Sequence, residues 1–68
     1  MKVMLRRNKA GHLIAYVAKK DLEEEVVNSA ETNAGTILTL ANGWELEFSD
    51  FKFSEDLVLP QTLEGRKL

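Results

Sequence analysis

The sequence predicts an all-β domain of five or six short antiparallel strands, arranged as a small barrel or sandwich. Three observations predict it. Trp44, Leu46 and Phe48 alternate with Glu45 and Glu47, the period of two that places apolar side chains on one face of a strand. An Asn42-Gly43 pair joins this run to Gly35–Leu40, and Asn-Gly between two strand-like runs is the strongest short-range hairpin signal. Turn residues recur roughly every 8–12 residues along the rest of the chain, the spacing of a small barrel or sandwich.

The central hairpin also predicts its own register. A two-residue loop would set Leu38 against Glu47. A three-residue loop, Ala41-Asn42-Gly43, sets Leu40 against Trp44, Leu38 against Leu46 and Thr36 against Phe48. A one-residue slip moves every side chain to the other face, so burial selects the three-residue loop, with Gly43 in the left-handed conformation of a G1 bulge.

Upstream, residues 2–7 read as a strand, with Val3 and Leu5 alternating against Lys2, Met4 and Arg6. Asn8-Lys9-Ala10-Gly11 is turn chemistry, and a four-residue loop there sets Leu5 opposite Ile14 and Val3 opposite Tyr16. His12 to Ala18 is a second strand. Its other face, Leu13, Ala15 and Val17, is also apolar, so the strand is central or covered on both sides. A turn near Asp21 leads into a third strand ending about Ser29, favoured by the β-branched pair Val26-Val27. Asp21 is also placed to cap a short helix from Leu22, the competing reading of that stretch. Residues 31–35 read as a loop. After the hairpin over 36–49, Phe51 and Phe53 flank Lys52 in an irregular, partly buried segment. Pro60 marks an edge or a strand end, because proline donates nothing to a ladder. Gln61 to Leu68 reads as a last short strand that frays.

Composition bounds the chemistry. Sixty-eight residues make one domain, 1–68, and 44% hydrophobic content fills one small core without also building a deep cleft. There is no cysteine, which excludes disulfides, thiolate zinc sites and cysteine-held iron–sulfur clusters. No apolar run approaches the ~20 residues of a membrane span, and the apolar stretch in Met1–Arg7 is too short for a signal peptide. A reducing cytoplasm is the expected compartment. The net charge of −2 gives no overall field favouring nucleic acid.

Several stretches together resemble the NifT/FixU family of small proteins from nitrogen-fixing bacteria. They are Met1-Lys2-Val3-Met4-Leu5-Arg6-Arg7-Asn8; Tyr16-Val17-Ala18-Lys19-Lys20-Asp21-Leu22-Glu23-Glu24 followed by Val26-Val27; Gly35-Thr36 with Leu38-Thr39-Leu40-Ala41-Asn42-Gly43-Trp44; and Leu59-Pro60. Each piece alone is unspecific, whereas their order and spacing over nearly the whole chain are not. Two departures stand out: Glu25 occupies a place where the family pattern has proline, and the C-terminal strand is less basic than the pattern. The resemblance implies a small, partly open β-barrel of SH3-like size. It implies an accessory role in nitrogen fixation, in nitrogenase maturation, and assigns no catalytic or metal-binding residue and no cofactor.

The residues offer few alternatives to such a role. His12 is the only histidine and has no sequence neighbours suited to metal or acid–base work. Met1, Met4 and His12 are soft ligand types whose ordinary use here is packing and solvent contact. Glu45 and Glu47 share one face, so they do not oppose each other across a pocket as paired catalytic carboxylates must. Lys2, Arg6, Arg7 and Lys9 form a basic cluster that Lys19 and Lys20 could extend. With stacking aromatics it would suit single-stranded nucleic acid. Trp44 and Phe48 are assigned to the core, however, and glutamates follow Lys19-Lys20 directly. The segment holding Lys19, Lys20, Asp21, Glu23 and Glu24 is the candidate partner surface, because a charged rim steers docking. The expected function is that of a non-enzymatic interaction module acting with nitrogenase or its cofactor-assembly proteins. The alternative is a regulatory barrel binding single-stranded nucleic acid.

Overall fold

The computed structural model describes residues 1–49, 51–52 and 58–68. One sequence expectation, that Phe53 flanks Lys52 in a partly buried segment, lies outside the described residues.

Among the described residues seven strand segments form one antiparallel sheet: β1 (Lys2–Arg7), β2 (Leu13–Val17), β3 (Leu22–Thr32), β4 (Gly35–Leu40), β5 (Glu45–Ser49), β6 (Gln61–Glu64) and β7 (Arg66–Lys67). Their order is β6-β1-β2-β3-β4-β5-β7. The two end segments, β6 and β7, are one stretch of chain broken only at Gly65, so the sheet closes on itself. Gly65 N–H donates to the Met1 carbonyl at 2.8 Å, and Leu68 N–H donates to the Glu45 carbonyl at 2.9 Å. The Met1 ammonium donates to the Gly65 carbonyl at 2.7 Å. The result is a nearly closed barrel. Counted as a single strand serving two neighbours, the last stretch brings the strands to six, as the sequence leads one to expect.

The central hairpin has the expected register: Thr36 faces Phe48, Leu38 faces Leu46 and Thr39 faces Glu45. Leu40 N–H donates to the Trp44 carbonyl at 2.8 Å and Gly43 N–H to the Leu40 carbonyl at 2.9 Å, closing the three-residue loop. Gly43 has φ +94°, a left-handed backbone that glycine adopts without steric cost.

The first hairpin departs from its expected register by one residue. Leu5 faces Ala15 and Met4 faces Tyr16. Asn8 is the cause: its N–H donates to the His12 carbonyl at 2.9 Å, and Gly11 N–H donates back to the Asn8 carbonyl at 3.0 Å. Asn8 therefore closes the hairpin instead of opening the loop, which shrinks to Lys9-Ala10-Gly11. The Asn8 side-chain oxygen fixes this turn by accepting the N–H of Ala10 and of His12, each at 3.0 Å. The same hydrogen-bond pattern closes both hairpins, with Gly11 at φ +84° where the second has Gly43. The slip turns Leu13, Ala15 and Val17 inward beside Val3 and Leu5, and puts Ile14 and Tyr16 on the outer wall.

β3 is longer than expected and changes neighbour along its length. Leu22–Glu25 pair with β2, whereas Val26–Thr32 pair with β4, the register shifting between Val26 and Asn28. Val27 is the extra residue of this bulge and is 57% exposed. Such a bulge bends the strand and lets it pass from β2 to β4. The loop expected over 31–35 contracts to Asn33-Ala34, because Thr32 pairs directly with Gly35. Thr32 Oγ1 accepts the Ala34 N–H at 3.2 Å, holding this tight turn.

The interior is filled by Val3, Leu5, Leu13, Ala15, Val17, Leu38, Leu40, Leu46 and Phe48, all buried. Burying each large one contributes roughly 1.5–3 kcal/mol. Among the described residues Thr36 is the buried polar side chain, and its hydroxyl donates to the Phe51 carbonyl at 2.7 Å. That bond ties the segment after β5 under the barrel, where the Phe51 ring meets Phe48 edge-on at 5.9 Å. Among the described residues no helix is long and apolar enough to cross a membrane.

Candidate docking surface

The candidate segment begins where β2 ends. A 3₁₀ turn over Ala18–Lys20 carries Lys19 and Lys20 out into solvent. Asp21 stops the turn: its N–H donates to the Ala18 carbonyl at 3.1 Å and its backbone is left-handed, φ 49°. Aspartate tolerates that conformation better than most side chains. The chain then enters β3, and strand alternation divides the remaining two residues. Glu23 stands opposite Tyr16 on the outer wall, while Glu24 stands opposite the inward Ala15. The structure therefore brings Lys19, Lys20 and Asp21 together at one end of the barrel. Glu23 lies beside them on the wall, and Glu24 turns to the other face, half-buried.

Glu23 does not stand alone. The Arg6 guanidinium reaches across β2 to it at 2.8 Å. Both partners are partly exposed, so the pair contributes at most about 1 kcal/mol. It also frames an apolar strip on the outer wall: Met4, Ile14 and Tyr16, with Ile14 only 8% exposed and outside the interior cluster. His12 lies at the edge of this strip, Nδ1 at 3.2 Å from Glu25 Oε1. Sequence reasoning missed the strip because its register placed Ile14 and Tyr16 on one face with Val3 and Leu5. The signal that finds it is Asn8 followed three residues later by Gly11, the same spacing that Leu40 has to Gly43.

The other residues singled out in the sequence are dispersed. Met1 packs against the interior near Gly65, Met4 lies on the outer wall and His12 at a hairpin end. Among the described residues no three of His, Asp or Glu are placed to hold a metal ion. Glu45 is exposed, but Glu47 is not on open solvent as its alternation suggests: Arg66 of β7 closes over it and leaves its side chain 17% exposed. The basic cluster is likewise divided. Arg6 is engaged by Glu23, the Arg7 guanidinium donates to the Gly11 carbonyl at 3.0 Å, and Lys2 and Lys19 flank a surface depression that also holds Glu64. Trp44 is half-buried, with the Lys67 ammonium 4.9 Å over its ring. That contact occupies the ring face on which a base would stack.

A model of the family described as NifT/FixU protein matches residues 1–65. This chain belongs to the NifT/FixU family. It is 45% identical to the FixU homolog of Sinorhizobium fredii, over all of this chain and 87% of that protein. It is 38% identical to FixU of Rhizobium leguminosarum bv. trifolii, over 98% of this chain and 93% of that one. The whole chain also matches, at 40% identity, a stretch making up 13% of protein MosB of Rhizobium meliloti. NifT/FixU membership associates the chain with nitrogen fixation.

Proposed function

We propose that this NifT/FixU barrel is a non-enzymatic accessory module of nitrogen fixation, acting in the cytoplasm by docking on nitrogenase or on one of the proteins that assemble its cofactors. The observation that carries the reading is the filled interior. Nine packed apolar side chains occupy it, and its buried polar side chain, Thr36, is already engaged by Phe51. What the molecule offers a partner is therefore its exterior. The exposed turn Lys19-Lys20-Asp21, with Glu23 beside it and Glu24 following, supplies charges of both signs within a few residues. Such a surface sets orientation and association rate more than affinity.

The test is chemical crosslinking in nitrogen-fixing cells, with the full chain carrying an affinity tag and crosslinked peptides identified by mass spectrometry. The reading expects links from Lys19 and Lys20 to nitrogenase or cofactor-assembly proteins, and their loss in a Lys19→Glu, Lys20→Glu variant. Crosslinking that leaves every such protein untouched, in cells actively fixing nitrogen, overturns it. Titration with single-stranded DNA and RNA at two salt concentrations addresses the nucleic-acid alternative, which requires binding that falls steeply with salt.

A further inference from the structure

The bulge at Val27 has a consequence for the backbone. Beyond it, β3 has left β2, so Asn28–Thr32 pair only with β4 among the described residues. The direction of each peptide group follows from the neighbouring ladder. Leu40 N–H points to β5, since it donates to Trp44. By alternation the groups of Leu38 and Thr36 also point to β5, and those of Thr39, Ile37 and Gly35 point to β3. Their partners Asn28, Ala30 and Thr32 therefore bond inward to β4. The N–H and C=O of Ser29 and Glu31, which stand opposite Leu38 and Thr36, point away from the sheet. All five residues are exposed. Among the described residues this is an open edge, and it lacks the lysine or proline that proteins commonly use to blunt one.

We infer that this edge pairs with itself: two barrels join antiparallel through Asn28–Thr32, about a two-fold axis beside Ala30. In that register Ser29 of one copy faces Glu31 of the other, twice over, and the outward groups of these residues exchange four backbone hydrogen bonds. The side chains suit the arrangement. The only charge in the stretch, Glu31, meets a serine hydroxyl able to donate to it, and no carboxylate stands directly opposite another. Ala30 meets Ala30 on the remaining face, where nothing bulky holds the strands apart. A contact of one short strand is small, so the dimer is weak, with a dissociation constant on the order of 10⁻⁴–10⁻³ M.

Sedimentation velocity of the full chain over a concentration series tests this, together with two variants at the exposed Ser29. Ser29→Lys places an ammonium opposite Glu31 of the second copy and tightens the dimer. Ser29→Glu places two carboxylates opposite each other and loosens it. The two symmetry-related pairs shift the dissociation constant by about tenfold in each direction. Circular dichroism checks that both variants stay folded, and Ala18→Lys and Ala18→Glu, in the exposed turn that follows β2, control for net charge. Opposite shifts at Ser29 with none at Ala18 support the edge. A chain that stays monomeric to about 1 mM overturns it. So do shifts of the same sign in the two Ser29 variants, or equal shifts from position 18.

Discussion

Gly65 is the joint at which the last stretch of chain passes from β1 to β5, and replacing it with alanine is the sharpest test of how the barrel closes. A Cβ at that position would lie 2.7 Å from Cε1 of Phe48 and 3.2 Å from Cδ1 and Cζ. Those atoms belong to a ring that is 1% exposed and braced by Phe51, so it cannot swing into solvent. The strand cannot easily retreat either, because both the N–H and the carbonyl of Gly65 are bonded to Met1. Forcing a methyl into such a site costs about 1–3 kcal/mol. In a domain of this size that lowers the melting temperature by roughly 5–20 °C. Urea unfolding of Gly65→Ala, followed by circular dichroism, reads the loss as a lower midpoint with unchanged slope. The cause is isolated by Phe48→Leu, which removes Cε1, the nearest atom, together with Cζ. Alone, Phe48→Leu destabilises; in its background, Gly65→Ala costs less than about 0.5 kcal/mol, a coupling well above the additivity error of distant sites. A cost for Gly65→Ala that is the same with Phe48 and with Leu at that position refutes the reasoning.

Three further outcomes are expected. Gly43→Ala, where a side chain meets open space but φ is +94°, loses about 1–2 kcal/mol from backbone conformation alone, and Gly43→Asn recovers part of it in the same unfolding assay. Thr36→Val keeps the shape of the buried side chain but leaves the Phe51 carbonyl without its donor; stability falls by about 1–3 kcal/mol, measured by thermal unfolding. Glu23→Gln, which breaks the partly exposed pair with Arg6, changes stability by less than about 1 kcal/mol, and the difference shrinks further in high salt.

The fold was legible in the sequence where one face of a strand differs sharply from the other. Trp44 to Phe48 alternates with glutamate, so one register alone buries the large side chains, and the observed ladder is that register. β2 carries apolar residues at Leu13, Ile14, Ala15, Tyr16 and Val17, and burial there had no preference to express. The choice fell to the Asn8 side chain and its two accepted N–H bonds, a local term that periodicity does not weigh. The far half of β3 was hidden for a related reason. Glu31 and Thr32 read as loop because they bury little, yet the ladder to β4 holds them extended. For the candidate surface, the sequence located the turn and its exposed lysines, but proximity along the chain concealed that Glu23 and Glu24 belong to opposite faces.

The bulge at Val27 leaves a single strand, β3, answerable to both halves of the molecule, and the stretch through Gly65 links those halves again on the opposite side. Neither half can shed its neighbour while keeping its own ladders whole. Loss of structure at either seam therefore exposes the common interior at once, so slow amide exchange should report one global opening for Val3, Val17, Leu38 and Leu46 alike. A molecule built this way opens as one cooperative unit.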